Sequence, residues 1–324
     1  MPLALNRRNL LGLAAYIATP GFAQSPPAPT GIRTIVVPLS AGSIADVLAR
    51  RLSAYLASAT GETHIVENVP GAGGTLAARQ VLRRPADGRT MLWAFSGLLC
   101  GTPLLANPPL DFDPVNELVP VCTMSGAALV LFAGRDFPAG DLAELRAYAK
   151  AQAEPVTYVS GDIGTANHLA AESIFQRLGV RGVHVPYRNT QQAFIDVAEG
   201  RVQVGVQAWG LSASLVNAGR TKVLAVLADK PLTADPRLRT VAAQGFGAFD
   251  VQGWFALLMA KGTPDARVAE TERLVQAALN DKAYAEAVVL SGQDVMFKGR
   301  HETRRFIDDE VARYRTVLQG LKLI

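Results

Sequence analysis

The chain is poor in the residues that several functional classes require. Its 324 residues include only two cysteines and four histidines, without a CxxC motif or a histidine pair at i, i+4, which argues against a metal site or a disulfide scaffold. Charged residues make up 19%, and no run of Lys and Arg exceeds two, which disfavours nucleic-acid binding. The GxxxxGK(S/T) and GxSxG motifs are absent, which argues against a P-loop enzyme and a nucleophile-elbow hydrolase.

Apolar residues, in contrast, make up 49% of a chain whose length corresponds to about two domains. The one apolar stretch of membrane type lies at the N-terminus and is too short to span a bilayer. Arg7 and Arg8 precede it and small residues follow up to Ala23, as in a secretory signal, and the paired arginines also fit the twin-arginine route. We expect a signal peptide over 1–23, a flexible Pro-rich leader over 24–30 and a periplasmic mature protein.

Cys100 and Cys122 are the two cysteines. In an oxidising compartment they could form a disulfide; the alternative, which we favour, is that they are two small buried residues. Their spacing matches no metal-binding pattern.

Strand-like and helix-like segments alternate along the chain. A buried strand over 34–38 is followed by a helix over 44–59, and the pattern restarts with a strand at 129–132. In the second half a strand over 156–159 precedes a helix over 167–178. The alternation predicts an α/β fold with parallel sheets built from βαβ units, ending in a mostly helical segment.

Two loops of similar composition follow the strands over 34–38 and 156–159. One leads from Leu39 to Ser43 and the other from Ser160 to Thr165; both are rich in Gly and Ser or Thr, and each runs into a helix. Ligands of open α/β sheets bind at the carboxyl ends of strands, and a helix N-terminus offers free N–H groups and about half a positive charge. Two such helix starts, one from each domain, predict a clamp for a small anion.

Each loop by itself is also explained as an ordinary helix start. Ser43 and Asp46 form a capping box, with a carboxylate that competes with an anionic ligand, and Thr165 is a suitable N-cap. Gly42 and Gly164 favour the ligand hypothesis, because glycine lets the backbone approach another molecule closely.

Three further side chains are candidates for the same cleft. His168 lies in the first turn after Thr165, and if it faces an anion, its pKa should rise and binding should tighten at mildly acid pH. Tyr187 and Trp209 follow strands and could line a pocket. The run from Gly71 to Thr75 is similar to a dinucleotide fingerprint but lacks its third glycine, so a tight turn is the better interpretation.

Several runs together resemble the substrate-binding proteins of tripartite tricarboxylate transporters, the Bug family, over nearly the whole mature chain. The runs are Ile35–Asp46, Val66–Gly74, Ser160–Leu169, Val183–Tyr187, Gly200–Val204, Gly219–Val226 and Gly253–Pro264. The resemblance implies a type II periplasmic binding protein fold of two α/β domains with a ligand cleft between them. It implies domain 1 over 31–128 plus 254–324 and domain 2 over 129–253.

The resemblance also implies a function and a set of ligand contacts. We expect a non-enzymatic, monomeric protein without cofactor, metal or nucleic acid, which hands a small organic carboxylate to membrane permease subunits. The residues at the family's binding positions are Ser40, Gly42, Ser43, Ile44, Ala45, Asp46, Ser96, Ser160, Gly164, Thr165, Ala166 and Asn167. With His168, Tyr187, Gln207 and Trp209 they form the predicted ligand site.

This chain departs from the family pattern at several positions in or next to this set. Leu39 replaces an aromatic residue, and Ala45 replaces a threonine. Ala41-Gly42-Ser43 stands where the family has Pro-Gly-Gly, and Gln207 replaces an aspartate shortly before Trp209. Loss of that acid next to an indole indicates a less polar, aromatic carboxylate as the ligand.

Two other functions fit the same fold. A periplasmic sensor module would present its closed form to a membrane signalling partner instead of a permease. A periplasmic enzyme would need a nucleophile or an acid–base pair, for which only His168 and Asp46 are candidates.

Overall fold

The computed structural model describes residues 31–324 apart from residues 162, 186, 188, 189, 233 and 250, and the side chains of all the others except 190 and 191. The predicted signal peptide and leader lie outside the described residues. Within the described ranges, no helix combines the length and the apolar character needed to cross a membrane.

Two mixed β-sheets with flanking helices make up the fold. The strands are β1 (Ile32–Val37), β2 (Thr63–Asn68), β3 (Thr90–Phe95), β4 (Leu118–Ala127), β5 (Leu129–Gly134), β6 (Val156–Val159), β7 (Gly182–His184), β8 (Val204–Ala208), β9 (Thr221–Val226), β10 (Gly253–Ala260) and β11 (Asp294–Gly299). The helices are α1 (Ile44–Thr60), α2 (Thr75–Arg83), α3 (Thr102–Leu105), α4 (Leu142–Ala151), α5 (Ala166–Leu178), α6 (Thr190–Ala198), α7 (Trp209–Asn217), α8 (Asp265–Asn280), α9 (Lys282–Leu290) and α10 (Arg300–Gly320).

The larger sheet has the order β11-β4-β10-β3-β1-β2 and the smaller one β7-β6-β8-β5-β9. We refer to the residues around the larger sheet as lobe 1 and those around the smaller sheet as lobe 2. The chain leaves lobe 1 between Ala127 and Leu129 and is back in its sheet at Gly253. These two crossing points lie next to the predicted domain limits at residues 128/129 and 253/254.

The predicted parallel pairing of βαβ units is confirmed, but both sheets also contain antiparallel pairs. Parallel pairs join β1 to β2 and β3, and β6 to β7 and β8, as expected of βαβ units. Strand β10 is antiparallel to both β3 and β4, and β5 is antiparallel to both β8 and β9. These antiparallel strands carry the chain between the lobes, so they enter their sheets without a crossover helix.

Apolar faces hold the helices on the sheets. In α1, Leu48, Leu52 and Leu56 recur every fourth residue and are buried, and Gly61 ends the helix in the left-handed region with φ of +71°.

Cys100 and Cys122 are buried and carry free thiols.

Candidate functional site

The first turn of α1 is fixed by its own side chains. Ser43 caps the helix by accepting a hydrogen bond on Oγ from the Asp46 N–H (3.3 Å), as the capping-box pattern predicted. The Asp46 carboxylate accepts the Gly42 N–H (2.9 Å) and pairs with Arg50 (3.0 Å). Although burial disfavours its charge, these partners hold the pKa of Asp46 below its ordinary value. A left-handed φ of +82° at Gly42 makes the turn possible.

Two main-chain N–H groups at this helix start remain available. Those of Ile44 and Ala45 have no hydrogen-bond acceptor within the part of the chain that the structure describes. They are among the donors that every helix leaves free in its first turn. An acceptor from outside the protein can therefore bind here.

The first turn of α5 repeats this arrangement in lobe 2. Thr165 Oγ1 accepts the His168 N–H (3.4 Å), and Gly164, at φ of +84°, donates its N–H to Nδ1 of the same histidine (3.4 Å). The N–H groups of Ala166 and Asn167 have no acceptor among the described residues. Each lobe thus presents one capped helix start with two available donors.

Both helix starts face one cavity of about 450 Å³. Helix α1 follows β1 and α5 follows β6, so each emerges from the carboxyl end of a strand, where α/β folds bind ligands. The predicted residues that line the cavity are Gly42, Ser43, Ile44, Ala45, Ser96, Thr165, Ala166, Asn167 and Gln207.

Most of the remaining lining is apolar, and the sequence had not pointed to it. The lining residues that were not predicted are Leu39, Phe95, Ala127, Leu129, Gly161, Phe194, Ala208, Leu211, Gly253, Trp254, Phe255 and Gln293. Several of them stand at the ends of strands that the sequence did predict, and this position is the signal that could have identified them.

The other predicted site residues do not line the cavity. They are Ser40, Asp46, Ser160, Gly164, His168, Tyr187 and Trp209. Ser40 accepts the Ser43 N–H on its carbonyl (3.1 Å), and Ser160 Oγ lies 3.0 Å from Nε2 of His184.

His168 lies behind the α5 start instead of facing the cavity. It is only 4% exposed, and its ring contacts those of His184 and Tyr158. Burial, with a contribution from His184, lowers the pKa of His168 to about 4. The rise in pKa was predicted for a ring that faces an anion, whereas this ring lies outside the cavity lining and is desolvated by its neighbours. The neutral ring serves as the acceptor for the Gly164 N–H.

Tyr187 and Trp209 are likewise held by partners away from the cavity. The Tyr187 hydroxyl donates to Oδ2 of Asp196 (2.5 Å). Trp209 is the first residue of α7, packs against the apolar cluster of lobe 2 and donates its main-chain N–H to the Ala128 carbonyl (3.0 Å).

The two lobes approach each other backbone to backbone at two places beside the cavity. A Cβ added to Gly101, in the π-helical turn that follows β3, would lie 1.9 Å from the Gly164 carbonyl oxygen. On α7, a Cβ added to Gly210 would lie 2.2 Å from Cα of Gly292. We call these contacts the two glycine seams.

None of the described residues that line the cavity is a His, Cys, Asp, Glu, Lys or Arg. Across the described ranges, no group of three or more His, Cys, Asp and Glu is placed to hold a metal ion. Asp46 is occupied by Gly42 and Arg50, and His168 lies outside the lining.

Comparisons with known proteins agree with this architecture. Protein BugT from Bordetella pertussis is 29% identical over 325 residues, which cover 98% of this chain and 100% of BugT. A solved structure described as R. palustris Rpa4515 with adipate has a TM-score of 0.82 at 27% identity, covering 90% of this chain and 97% of that one. The structure of the periplasmic binding protein BugD has a TM-score of 0.79 at 27% identity, covering 91% and 98%.

A third solved structure is MatC from Rhodopseudomonas palustris with bound malate, with a TM-score of 0.77 at 26% identity, covering 89% of this chain and 98% of MatC. The family model described as tripartite tricarboxylate transporter family receptor, TctC, matches residues 48–323. The match extends over most of the chain and includes both lobes. The chain therefore belongs to the tripartite tricarboxylate transporter receptor family.

Proposed function

We propose that this protein is a periplasmic binding protein that captures a small organic carboxylate between its lobes and delivers it to the membrane subunits of a tripartite tricarboxylate-type transporter. The observation that carries the proposal is the pair of helix starts, α1 and α5, that face one cavity with four available N–H groups. Family membership and the bound adipate and malate of two structural neighbours support the same class of ligand.

The physical basis is the way in which helix starts attract anions. Hydrogen bonds from N–H groups to a charged acceptor contribute about 1.5–3 kcal/mol each, and the partial charges of two helix N-termini add to this attraction. A carboxylate has two oxygens, so one oxygen can accept from Ile44 and Ala45 and the other from Ala166 and Asn167. Binding of this kind joins the lobes, because each lobe provides half of the donors.

The side chains around the cavity support binding rather than turnover. The polar groups of the described lining are hydroxyls and primary amides, as at Ser43, Thr165 and Gln207. They can orient a ligand, but a hydrolytic or transfer reaction needs a nucleophile beside a base. We therefore assign the protein a binding role.

The first test is a thermal-shift screen of the protein against mono-, di- and tricarboxylates, with amino acids included. A ligand at about 100 times its Kd stabilises the folded state by roughly 2.7 kcal/mol. We expect a clear rise of the melting temperature with at least one carboxylate. A flat response to the whole panel would contradict the proposal.

A matched pair of N-cap variants then tests the site. Thr165→Ala and Asp281→Ala each remove a side chain that caps a helix, of α5 and α9 respectively, so each should lower stability by about 1 kcal/mol. Only Thr165→Ala should also weaken binding of the carboxylate found in the screen, by several-fold in calorimetry. Equal affinities of the two variants would show that α5 does not hold the ligand.

Delivery to a permease is tested in cells. Deletion of the gene should abolish uptake of the radiolabelled carboxylate. If uptake stays normal while a transcriptional response to that carboxylate is lost, the protein is a sensor module.

A further inference from the structure

The side chains that line the cavity are uncharged and mostly apolar, whereas the four N–H groups at the helix starts are polar donors. None of the 21 described lining residues carries a charged side chain, and four of them are aromatic: Phe95, Phe194, Trp254 and Phe255. A ligand in this space meets strong hydrogen-bond donors at the helix starts and mainly apolar surface elsewhere.

The strand order separates these two regions. In lobe 1, α1 follows β1, and the next strands across the sheet are β3, which brings Phe95, and β10, which brings Trp254 and Phe255. In lobe 2, α5 follows β6, the next strand β8 leads to Leu211 on α7, and β5 brings Leu129. The aromatic and aliphatic walls therefore lie to one side of the helix starts, toward the strands that connect the lobes.

Trp254 turns its polar atom away from the cavity. Its indole N–H donates to Oε2 of Glu310 (2.8 Å), and both residues are only 2% exposed. The edge of the ring that could bind a polar ligand group is thus occupied, and the indole offers no free hydrogen-bond donor to the cavity.

Packing behind the other rings fixes them in place. Phe255 contacts Trp93 with ring centroids 5.8 Å apart, and Phe194 contacts Phe132 edge to face at 5.6 Å. Both Trp93 and Phe132 are buried, so the walls are formed before a ligand arrives.

The polar residue farthest from the helix starts in strand order is Gln293, directly before β11. It is 5% exposed, and its Oε1 accepts a hydrogen bond from Ser125 Oγ (3.2 Å). An amide can hydrogen-bond a neutral or charged group, but it cannot neutralise a buried carboxylate. Burial of an anion without an opposite charge or several donors is unfavourable.

We infer that the ligand is a monocarboxylate: its one carboxylate binds at the helix starts, the rest of the molecule is uncharged and mainly apolar, and a second carboxylate is disfavoured. This inference rests on the proposed function, because it takes the α1 and α5 starts as the carboxylate site. The specificity residue at the far end of the cavity is Gln293.

Two matched pairs of ligands test the inference by calorimetry at pH 7.5, where every carboxyl group is ionised. The pairs are 4-methylbenzoate with terephthalate and hexanoate with adipate, in which a methyl group replaces the second carboxylate. We expect the monocarboxylate of each pair to bind at least 30-fold more tightly. Equal or tighter binding of either dicarboxylate would overturn the inference and leave the proposed function standing.

The outcomes also separate failure of the inference from failure of the proposed function. If none of the four ligands binds while a di- or tricarboxylate in the thermal-shift screen does, the inferred monocarboxylate class is wrong and carboxylate capture stands. If no carboxylate of either set binds, both fail.

A charge added at Gln293 provides a gain-of-function test. Gln293→Lys should raise the affinity for terephthalate at least tenfold and lower that for 4-methylbenzoate, because the new cation can pair with the second carboxylate. Gln319→Lys, at an exposed position of α10, adds the same charge and should leave both affinities unchanged. If Gln293→Lys folds with wild-type circular dichroism and the ratio of the two affinities does not move, Gln293 is not the specificity residue.

Discussion

Gly101→Ala should weaken ligand binding, because Gly101 forms one of the glycine seams. The added Cβ would lie 1.9 Å from the Gly164 carbonyl oxygen, whereas a carbon and a carbonyl oxygen normally stay at least about 3.3 Å apart. The two backbones must therefore separate by about 1.4 Å. Relief comes either from opening of the lobes or from displacement of the loop that leads into α5.

Both kinds of movement act on the same donors. They carry the N–H groups of Ala166 and Asn167 away from α1 by a similar distance, and a hydrogen bond of ordinary length does not survive a change of that size. Loss of one hydrogen bond to a carboxylate costs about 1.5–3 kcal/mol, which corresponds to an affinity about 10- to 100-fold lower.

Calorimetry with the tightest carboxylate of the thermal-shift screen measures the effect. Gly140→Ala is the control, since its Cβ would meet only the end of an exposed Glu144 side chain, at 3.4 Å. Gly210→Ala tests the second seam and should act like Gly101→Ala. Solution scattering should also show larger radii of gyration for both seam variants in the presence of ligand.

The reasoning would be refuted by Gly101→Ala and Gly210→Ala proteins that keep wild-type circular dichroism and bind the ligand within twofold of the wild type. In that case the close approach of the lobes would have no role in holding the ligand.

Three further predictions concern buried groups. The pKa of His168 is about 4 in the folded protein and near 6.5 in the unfolded protein, so the unfolded state binds more protons between these pH values. The free energy of unfolding, measured by urea titration, should therefore fall by about 2 kcal/mol from pH 7 to pH 5. A His168→Asn protein should show a flatter pH dependence. Glu310→Ala should lower the free energy of unfolding by about 1–3 kcal/mol, because it leaves the buried Trp254 indole N–H without its acceptor, whereas Glu310→Gln should lose less in thermal denaturation. Burial raises the pKa of the Cys100 and Cys122 thiols, so a thiol reagent should label neither in the native protein and both in denaturant; rapid labelling of the native protein would contradict the buried placement.

The sequence was sufficient to predict the local units that build the site. The helix starts at Ser43 and Thr165 follow from their own side chains, because N-capping is a matter of three or four consecutive residues. The strand–loop–helix order around them follows from apolar periodicity, and the structure confirms it.

Elements with mixed local patterns were missed. Strand β4 contains Pro120 and two hydroxyl residues, α7 begins with Trp209 and Gly210, and β11 interrupts a C-terminal segment that was predicted as helical. The conformations of these elements depend on packing and strand pairing with parts of the chain that are distant in sequence.

Tertiary contacts also decide which side chains line the cavity, and the local sequence does not show these contacts. His168 has a suitable position in α5, but the rings of Tyr158 and His184 bury it. Trp254 lies in a strand that was predicted, yet only the strand order shows that it shares a cavity with α1 and α5.

The four donors at the helix starts have a consequence for how such a protein can change over time. If the carboxylate binds as we propose, Ile44, Ala45, Ala166 and Asn167 hold it through their peptide groups, so its binding depends on the backbone geometry of the helix starts more than on the side chains of these four residues. The shape of the cavity is encoded separately, in side chains such as Phe194 and Gln293. Substitutions of the cavity side chains can therefore change which carboxylate is bound, while the backbone donors for its carboxylate group stay the same.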